Sequence, residues 1–193
     1  MSDNFRLFIA IALPEDVRRC IADFQREWQG GLRGKFIRWT PVEQVHLTLR
    51  FLGDVSSAAV PELEAALRRA CEGVAGFELS AGGSGCFPDA RKPRVLWIGV
   101  SGAVEALAEL QARVVQETQT WGEVEARAFR AHLTIGRVKN APPPALREIA
   151  HCAQTLTCGE LGHWRVSEVL LMRSELSSAG ARHSTLAKIA LTS

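Results

Sequence analysis

The chain has 193 residues, of which 47% are hydrophobic, and 23 lysines and arginines against 21 aspartates and glutamates give a formal net charge of +2. A chain of this length buries roughly 70% of its unfolded surface on folding, so its core needs no metal or disulfide to hold it. The near-balance of charge argues against a protein that binds nucleic acid through a strongly basic face, but it is compatible with a pocket that holds a few phosphates.

The cysteines and the N-terminal residues bear on the cellular compartment of the protein. Five cysteines at irregular spacing, without a C-x-x-C pair, make a poor disulfide framework, so we expect reduced thiols and a cytoplasmic location. The apolar residues 7–13 lack the basic flank and the cleavage site of a signal peptide. No stretch approaches the roughly 20 apolar residues of a membrane span, so we expect no membrane association.

Hydrophobic periodicity predicts alternating strands and helices along the chain. In the first half it predicts strands at residues 5–12, 36–39, 45–52 and 77–80, and helices at residues 14–28 and about 56–72. A loop rich in glycine, proline and basic residues is expected at 81–94. In the second half the prediction is strands at 95–100, 129–138, 164–172 and 184–191, and helices at 103–121 and from the proline run to about 154. This order predicts an α+β fold of sheets covered by helices.

One motif occurs twice, each time on a predicted strand. It reads Val45-His46-Leu47-Thr48-Leu49 in the first half and Ala131-His132-Leu133-Thr134-Ile135 in the second. Because side chains alternate between the two faces of a strand, each histidine shares a face with its threonine, while the leucines and the isoleucine lie on the other face. Each copy is therefore a polar pair on an apolar backing.

The same alternation extends each polar face. It adds Gln44 and Arg50 beside the first motif and Arg130 beside the second, so that each histidine has a cation nearby. Arg137 has the opposite parity and joins the site only if Gly136 marks a bulge or the end of the strand. Two similar halves predict two lobes, related by a pseudo-twofold axis, with the histidines facing each other across a cleft.

A pair of facing histidines suits proton transfer at both ends of a displacement. A neutral imidazole takes a proton from water while a protonated one gives a proton to the departing oxygen, and a reference pKa of about 6.5 allows both states. The threonine hydroxyls can donate hydrogen bonds to phosphoryl oxygens, and Arg130 or Arg50 can hold the developing negative charge. This chemistry requires no metal, and we expect no cofactor.

The segments HLTLRFLGDV at 46–55 and FRAHLTIGRV at 129–138 resemble the paired H-x-T-x motifs of the 2H phosphoesterase superfamily. Within it, the chain is most similar to the bacterial RNA 2′,3′-cyclic phosphodiesterases, also called 2′-5′ RNA ligases. The likeness includes RLFIAIALPEDV near the N-terminus and GCFPDARKPRVLWIGV in the middle, so it covers nearly the whole chain. It implies a single bilobal domain over residues 1–193, with an internal duplication.

The resemblance also implies an activity, which is metal-independent opening of the 2′,3′-cyclic phosphate at an RNA end to leave a 2′-phosphate. Ligation through a 2′-5′ linkage would use the same groups. By correspondence, His46 is the proton donor to the leaving oxygen and His132 the proton acceptor from water, although the sequence alone does not order these roles. Thr48 and Thr134 correspond to phosphate hydrogen-bond donors, and Arg130 is a further candidate for holding the phosphate.

The resemblance leaves some positions open. The expected partner is an RNA end with a cyclic phosphate, such as a tRNA half, or a small cyclic nucleotide, bound by a monomer. Phe51 matches a motif position, but its parity predicts that it packs in the core. His183 stands where relatives often have a proline and an aromatic residue, which makes it a candidate to line the cleft.

Other interpretations compete with the enzyme. An RNA-binding module could hold cyclic-phosphate ends without turning them over. Zinc could bind four residues whose spacing is unlike that of paired knuckle ligands, namely His151, Cys152, Cys158 and His163. The basic residues Arg91, Lys92 and Arg94 are either a solvated loop or a contact to the RNA backbone. Trp39 and Trp97 are either core residues or stacking faces for a base.

Overall fold

The computed structural model describes residues 3–29, 33–123, 127–155, 158–177 and 180–192. Within these ranges the strands are β1 (Asn4–Ala12), β2 (Ile37–Trp39), β3 (His46–Ser56), β4 (Phe77–Phe87), β5 (Val95–Gly102), β6 (His132–Val138), β7 (Glu160–Val166), β8 (Glu168–Ser177) and β9 (Gly180–Ala190). The helices are α1 (Glu15–Trp28), α2 (Val60–Cys71), α3 (Val104–Glu117) and α4 (Pro143–Thr155). The predicted α+β class is confirmed.

The strands form one curled antiparallel sheet that runs through two lobes. Its order is β7-β4-β5-β6-β3-β1-β8-β9, and the short β2 pairs with the last part of β6. At the centre of the sheet, Leu47 of β3 lies opposite Leu133 of β6. Because these are the middle residues of the two sequence motifs, the motifs meet at the boundary between the lobes.

The chain builds the two lobes from equivalent halves. The first half runs β1-α1-β2-β3-α2-β4, and the second runs β5-α3-β6-α4 followed by β7, β8 and β9, so that the two share the order strand, helix, strand, helix, strand apart from β2 and the last strands. β4 pairs with β5, and β8 pairs with β1. Each half therefore gives a strand to the lobe that holds the other half's motif.

The core lies on one face of this sheet, beneath the helices. The apolar stripe of α1 packs there; the helix begins after Pro14 and has Glu15 and Asp16 in its first turn. Leu47 and Leu133 are fully buried in the same cluster. The opposite face of the central strands is free to line the cleft.

Several predicted elements differ from the structure. α3 ends at Glu117 rather than at 121, β6 begins at His132 rather than at 129, and β9 begins at Gly180 rather than at 184. β4 continues through residues 81–87, which we expected to be a loop, because a bulge at Gly83, with φ of +66°, lets the pairing with β5 resume beyond it. The expected strand at 164–172 is two strands, β7 and β8, which lie in different lobes and are separated only by Ser167. α2 is preceded by a short 3-10 turn at Ser57–Ala59, and no serine side chain caps it.

Candidate active site

The four motif residues come together on the cleft face. Since Leu47 lies opposite Leu133 in an antiparallel pair, His46 comes opposite Thr134, and Thr48 comes opposite His132. All four side chains are partly buried, while the neighbouring leucines and Ile135 are in the core. The predicted alternation of polar and apolar faces is therefore confirmed within both motifs.

Both histidine rings are held by the same backbone contact. Nδ1 of His46 lies 2.7 Å from the carbonyl oxygen of Gln44, and Nδ1 of His132 lies 2.6 Å from the carbonyl oxygen of Arg130. A carbonyl can only accept, so each Nδ1 carries the hydrogen and donates it. Nε2 of each ring is left to accept or donate a proton. Gln44 thus acts through its carbonyl, from a 3-10 turn before β3.

A bulge lies just after the threonine in both repeats. β1 pairs Ala10 with Thr48 and Ile9 with Arg50, so that Leu49 has no partner there. β5 pairs Trp97 with Thr134 and Leu96 with Gly136, which leaves Ile135 unpartnered in the same way. The extra residue reverses the alternation of faces in the rest of the strand. The residue directly after the bulge, Arg50 or Gly136, therefore faces the core, and the next one, Phe51 or Arg137, faces the cleft.

The bulge overturns two predictions in the first motif. Arg50 does not lie beside His46: it is buried, and its guanidinium donates to Thr118 Oγ1 and to the carbonyl oxygens of Val115 and Trp121 near the end of α3. Phe51 is not a core residue, since 47% of its surface is exposed. Its ring stacks on that of Phe8, with a centroid distance of 6.4 Å.

In the second motif the bulge brings Arg137 to the cleft face. Arg137 pairs with Val95 of β5, which is the counterpart of Phe51 pairing with Phe8 in the other repeat. The condition set by the sequence, a bulge at Gly136, is thus met. On its other side Arg137 lies directly opposite Arg38 of β2. Two like charges placed opposite each other repel, so this pair is suited to holding an anion.

Aromatic and imidazole rings surround His46. Phe8 stacks on it at a centroid distance of 4.8 Å, and His183 meets both rings edge-on, at 4.9 Å from Phe8 and 5.3 Å from His46. Burial lowers the pKa of His46 from 6.5 to about 4; the nearby His183 lowers it as well, whereas the hydrogen bond to Gln44 raises it. Burial also lowers the pKa of His183. The imidazole of His46 is thus neutral at pH 7 when the site is empty.

His132 has a different surrounding. The ring of Phe87 meets it edge-on at 5.0 Å, and the guanidinium of Arg130 lies 4.7 Å from the centre of the Phe87 ring. Arg130 and His132 thus both contact the Phe87 ring, and Arg130 is exposed, so a ligand can reach its guanidinium. Trp97 lies beside Phe87, with ring centres 5.3 Å apart, and its indole lies against Gly85, where a Cβ would collide with it.

The remaining candidates fall elsewhere. Trp39 packs on Trp28 in the core, at 6.5 Å between ring centres, and not on the cleft face. Arg91, Lys92 and Arg94 are exposed in the loop between β4 and β5, where the Asp89 carboxylate accepts hydrogen bonds from the backbone of the first two.

The residues considered for zinc do not make a site. His151 is exposed on α4 while its neighbour Cys152 is buried in the core. Across the described ranges, no three histidine, cysteine, aspartate or glutamate side chains are placed to hold one metal ion. Nor does any helix within them have the length and apolar character needed to cross a membrane.

Comparison with known proteins places this fold among phosphoesterases. A solved phosphoesterase structure is 25% identical, superposes with a TM-score of 0.80, and is matched over 99% of this chain and 100% of that one. Escherichia coli LigT, in its apo form, is 25% identical with a TM-score of 0.76 over 100% of both chains. A second LigT structure, complexed with ATP, has the same identity of 25% and a TM-score of 0.74, again over 100% of both chains.

Sequence comparison identifies the family. The model described as LigT like Phosphoesterase matches the chain twice, at residues 11–97 and 98–183. The RNA 2′,3′-cyclic phosphodiesterase of Methanothermobacter thermautotrophicus is 35% identical over 91% of this chain and 92% of its own length. The protein of that name from Thermus thermophilus is 30% identical over 96% of this chain and 90% of its own. The chain therefore belongs to the LigT-like phosphoesterase family, and each half carries one copy of the family's pattern.

Proposed function

We propose that the protein hydrolyses RNA 2′,3′-cyclic phosphate ends to 2′-phosphomonoesters, by two-histidine acid–base catalysis without a metal. One observation carries the proposal: two histidines on one face of the sheet, each fixed through Nδ1 to the carbonyl two residues before it, leave two Nε2 atoms for proton transfer. The names of the relatives support the choice of substrate. The LigT structure complexed with ATP supports a cleft that accepts a nucleotide.

In the proposed reaction, His132 Nε2 accepts a proton from water as the water oxygen attacks phosphorus. The bond between phosphorus and O3′ breaks, and His46 Nε2 donates its proton to O3′. The product has a 3′-hydroxyl and a 2′-phosphate, and solvent then restores both imidazoles. A 5′-hydroxyl in place of water would give a 2′-5′ linkage by the same proton transfers, so ligation belongs to the same site.

His46 must be protonated to serve as the acid, although burial lowers its pKa to about 4 in the empty site. The bound cyclic phosphate supplies the compensation, because a negative charge beside an imidazole favours the protonated form. Thr48 and Thr134 donate hydrogen bonds to the phosphoryl oxygens, and Arg130 and Arg137 supply positive charge on the side of His132. These are the groups that stabilise the charge of the transition state.

The test uses a short oligonucleotide ending in a 2′,3′-cyclic phosphate, with EDTA present. The wild-type protein should convert it to the 2′-phosphate, and His46→Asn and His132→Asn should each lose activity by roughly 100-fold or more. His151→Asn, which changes an exposed histidine outside the site, is the matched control and should retain activity.

Three results would contradict the proposal. Wild-type turnover in either cleft variant would refute the two-histidine mechanism. Tight binding without product, even after long incubation, would favour the RNA-binding module. Loss of activity in EDTA with recovery on adding a metal would refute metal independence.

A further inference from the structure

A cavity of about 430 Å³ lies on the cleft face of the lobe that carries His46. Its floor is formed by Ala10 and Ala12 of β1 and by Leu170 and Met172 of β8, and His46 forms one wall. We propose that this cavity binds the terminal nucleoside of the RNA substrate, with the preceding phosphodiester at its basic rim. The proposal rests on the proposed function, in which His46 protonates the departing O3′.

The geometry of the displacement determines on which side the nucleoside lies. The entering water and the leaving O3′ occupy opposite sides of phosphorus, near His132 and His46 respectively. Because O3′ belongs to the ribose, the nucleoside extends from His46 toward the lobe of β1 and β8. The cavity opens on that side and has a volume within the range of small-molecule sites, about 300–1,000 Å³.

The two lobes differ where a base would lie. Ala10 faces Thr48 in the first repeat, and the equivalent residue, Trp97, faces Thr134 in the second. The indole of Trp97 occupies the surface over Gly85, so that part of the second lobe is already filled. The two repeats, with equivalent strand pairing, therefore differ at this position: a small residue lines the cavity beside His46, and an indole covers the equivalent surface in the second lobe.

The lining suits a flat heteroaromatic ring. The floor is apolar, as the faces of a nucleobase are, and His183 adds a ring at the wall that a base can contact. Nδ1 of His183 is buried without a hydrogen-bond partner among the described residues. The ring is therefore positioned by its packing on Phe8 and His46.

The rim carries charge that suits the next phosphate of an RNA chain. Lys188 of β9 pairs with Leu170 and lines the cavity, as do Arg18 of α1 and Arg182 of β9. Two carboxylates also line the cavity: Glu168, 3.4 Å from Lys188, and Glu43. Cations can bind the phosphodiester, while carboxylates can accept hydrogen bonds from ribose hydroxyls or base amino groups.

The test compares three substrates that differ by one part each: glycerol 1,2-cyclic phosphate, adenosine 2′,3′-cyclic phosphate, and the dinucleotide ApA with a terminal cyclic phosphate. Ala12→Leu fills the floor, and we expect the ratio of kcat/KM for adenosine to that for glycerol to fall about tenfold. Lys188→Ala should lower the ratio of kcat/KM for the dinucleotide to kcat/KM for the mononucleotide roughly threefold to tenfold. Ala112→Leu, the same substitution at an exposed position of α3, should keep both ratios.

The outcomes separate the cavity from the reaction itself. If Ala12→Leu keeps the wild-type ratio while Trp97→Ala lowers it, the base stacks in the other lobe and the proposal is wrong. If Ala12→Leu does not fold, Lys188→Ala still tests the proposal. A lower ratio of kcat/KM for the dinucleotide to that for the mononucleotide supports it, and an unchanged ratio refutes it. If the wild-type protein hydrolyses nothing, the proposed function fails, and equilibrium binding of 2′-AMP decides separately: weaker binding to Ala12→Leu supports the cavity, and unchanged binding refutes it.

Discussion

The low pKa of His46 makes the stability of the empty protein depend on pH in a defined direction. The imidazole has a pKa of about 4 in the native state and 6.5 in the unfolded chain, because burial penalises the charged ring. Above pH 6.5 the ring is neutral in both states and contributes nothing. As the pH falls below 6.5 the unfolded chain binds a proton that the native state does not, so the free energy of unfolding decreases until the pH is below 4.

The size of the effect is set by the two pKa values. The full difference corresponds to about 3 kcal/mol, since each pKa unit is worth about 1.4 kcal/mol. At pH 4.5 nearly every unfolded chain and about a quarter of the native molecules carry the proton, which leaves a loss of about 2.5 kcal/mol relative to pH 7.5. The variant His46→Gln removes this loss and keeps a side chain that can donate to the carbonyl of Gln44.

Urea unfolding of both proteins at several pH values between 7.5 and 4.5 measures the difference directly. Charged groups remote from His46 are the same in both proteins, so their effects cancel when the variant is subtracted from the wild type, and the difference reports His46 together with its coupling to His183. We expect wild type to lose about 2.5 kcal/mol more than His46→Gln over this range. If the free energy of unfolding changes with pH equally in the two proteins, the imidazole of His46 is not held neutral by burial. His151→Gln, an exposed substitution, should behave like wild type.

Three further predictions concern Arg50, Arg137 and Gly85. Arg50→Met should lower the free energy of unfolding by about 3 kcal/mol, measured in urea, because it leaves buried acceptors near the end of α3 without a donor. Its kcat/KM, measured well below its melting temperature, should stay near wild type, whereas Arg137→Met should lose roughly tenfold in kcat/KM with little change in stability. Gly85→Ala should displace the indole of Trp97, since a Cβ there would lie 2.6 Å from Cη2, and near-UV circular dichroism should report the change. An unaltered tryptophan spectrum would contradict this packing.

The contrast between Arg50 and Arg137 shows how far strand alternation can predict a site. Period-two alternation correctly grouped each histidine with its threonine, because that stretch pairs regularly. It failed one residue later, where β1 skips Leu49 and β5 skips Ile135. A bulge depends on the partner strand, which a single segment does not reveal. In the second repeat Gly136 indicated the bulge. Arg50 is the equivalent position in the first repeat, so aligning the two repeats would have predicted a bulge there as well.

The positions of the strands show a second limit. The segment from Trp164 to Met172 is continuously rich in strand-forming residues, yet it crosses from one lobe to the other at Ser167. No glycine or proline marks that point, because the chain needs no tight turn to change lobes. Likewise β4 lies beside β5 rather than beside its own half's β1, which only long-range pairing decides. The local sequence pattern therefore predicted where the strands lie along the chain better than it predicted which strands pair.

The approximate symmetry of the site matches one part of the proposed reaction and breaks where the reaction is asymmetric. Proton transfer is needed at both sides of phosphorus, and the repeats supply the same imidazole with the same backbone contact on each side. The reactants differ, since one side holds a water molecule and the other a nucleoside. The repeats differ correspondingly at the residues facing the two threonines, where Ala10 leaves space and Trp97 fills it. In the proposed reaction, the order of acid and base therefore follows from the different surroundings of the two rings, among them the residue facing each threonine, because the backbone contact is the same for both.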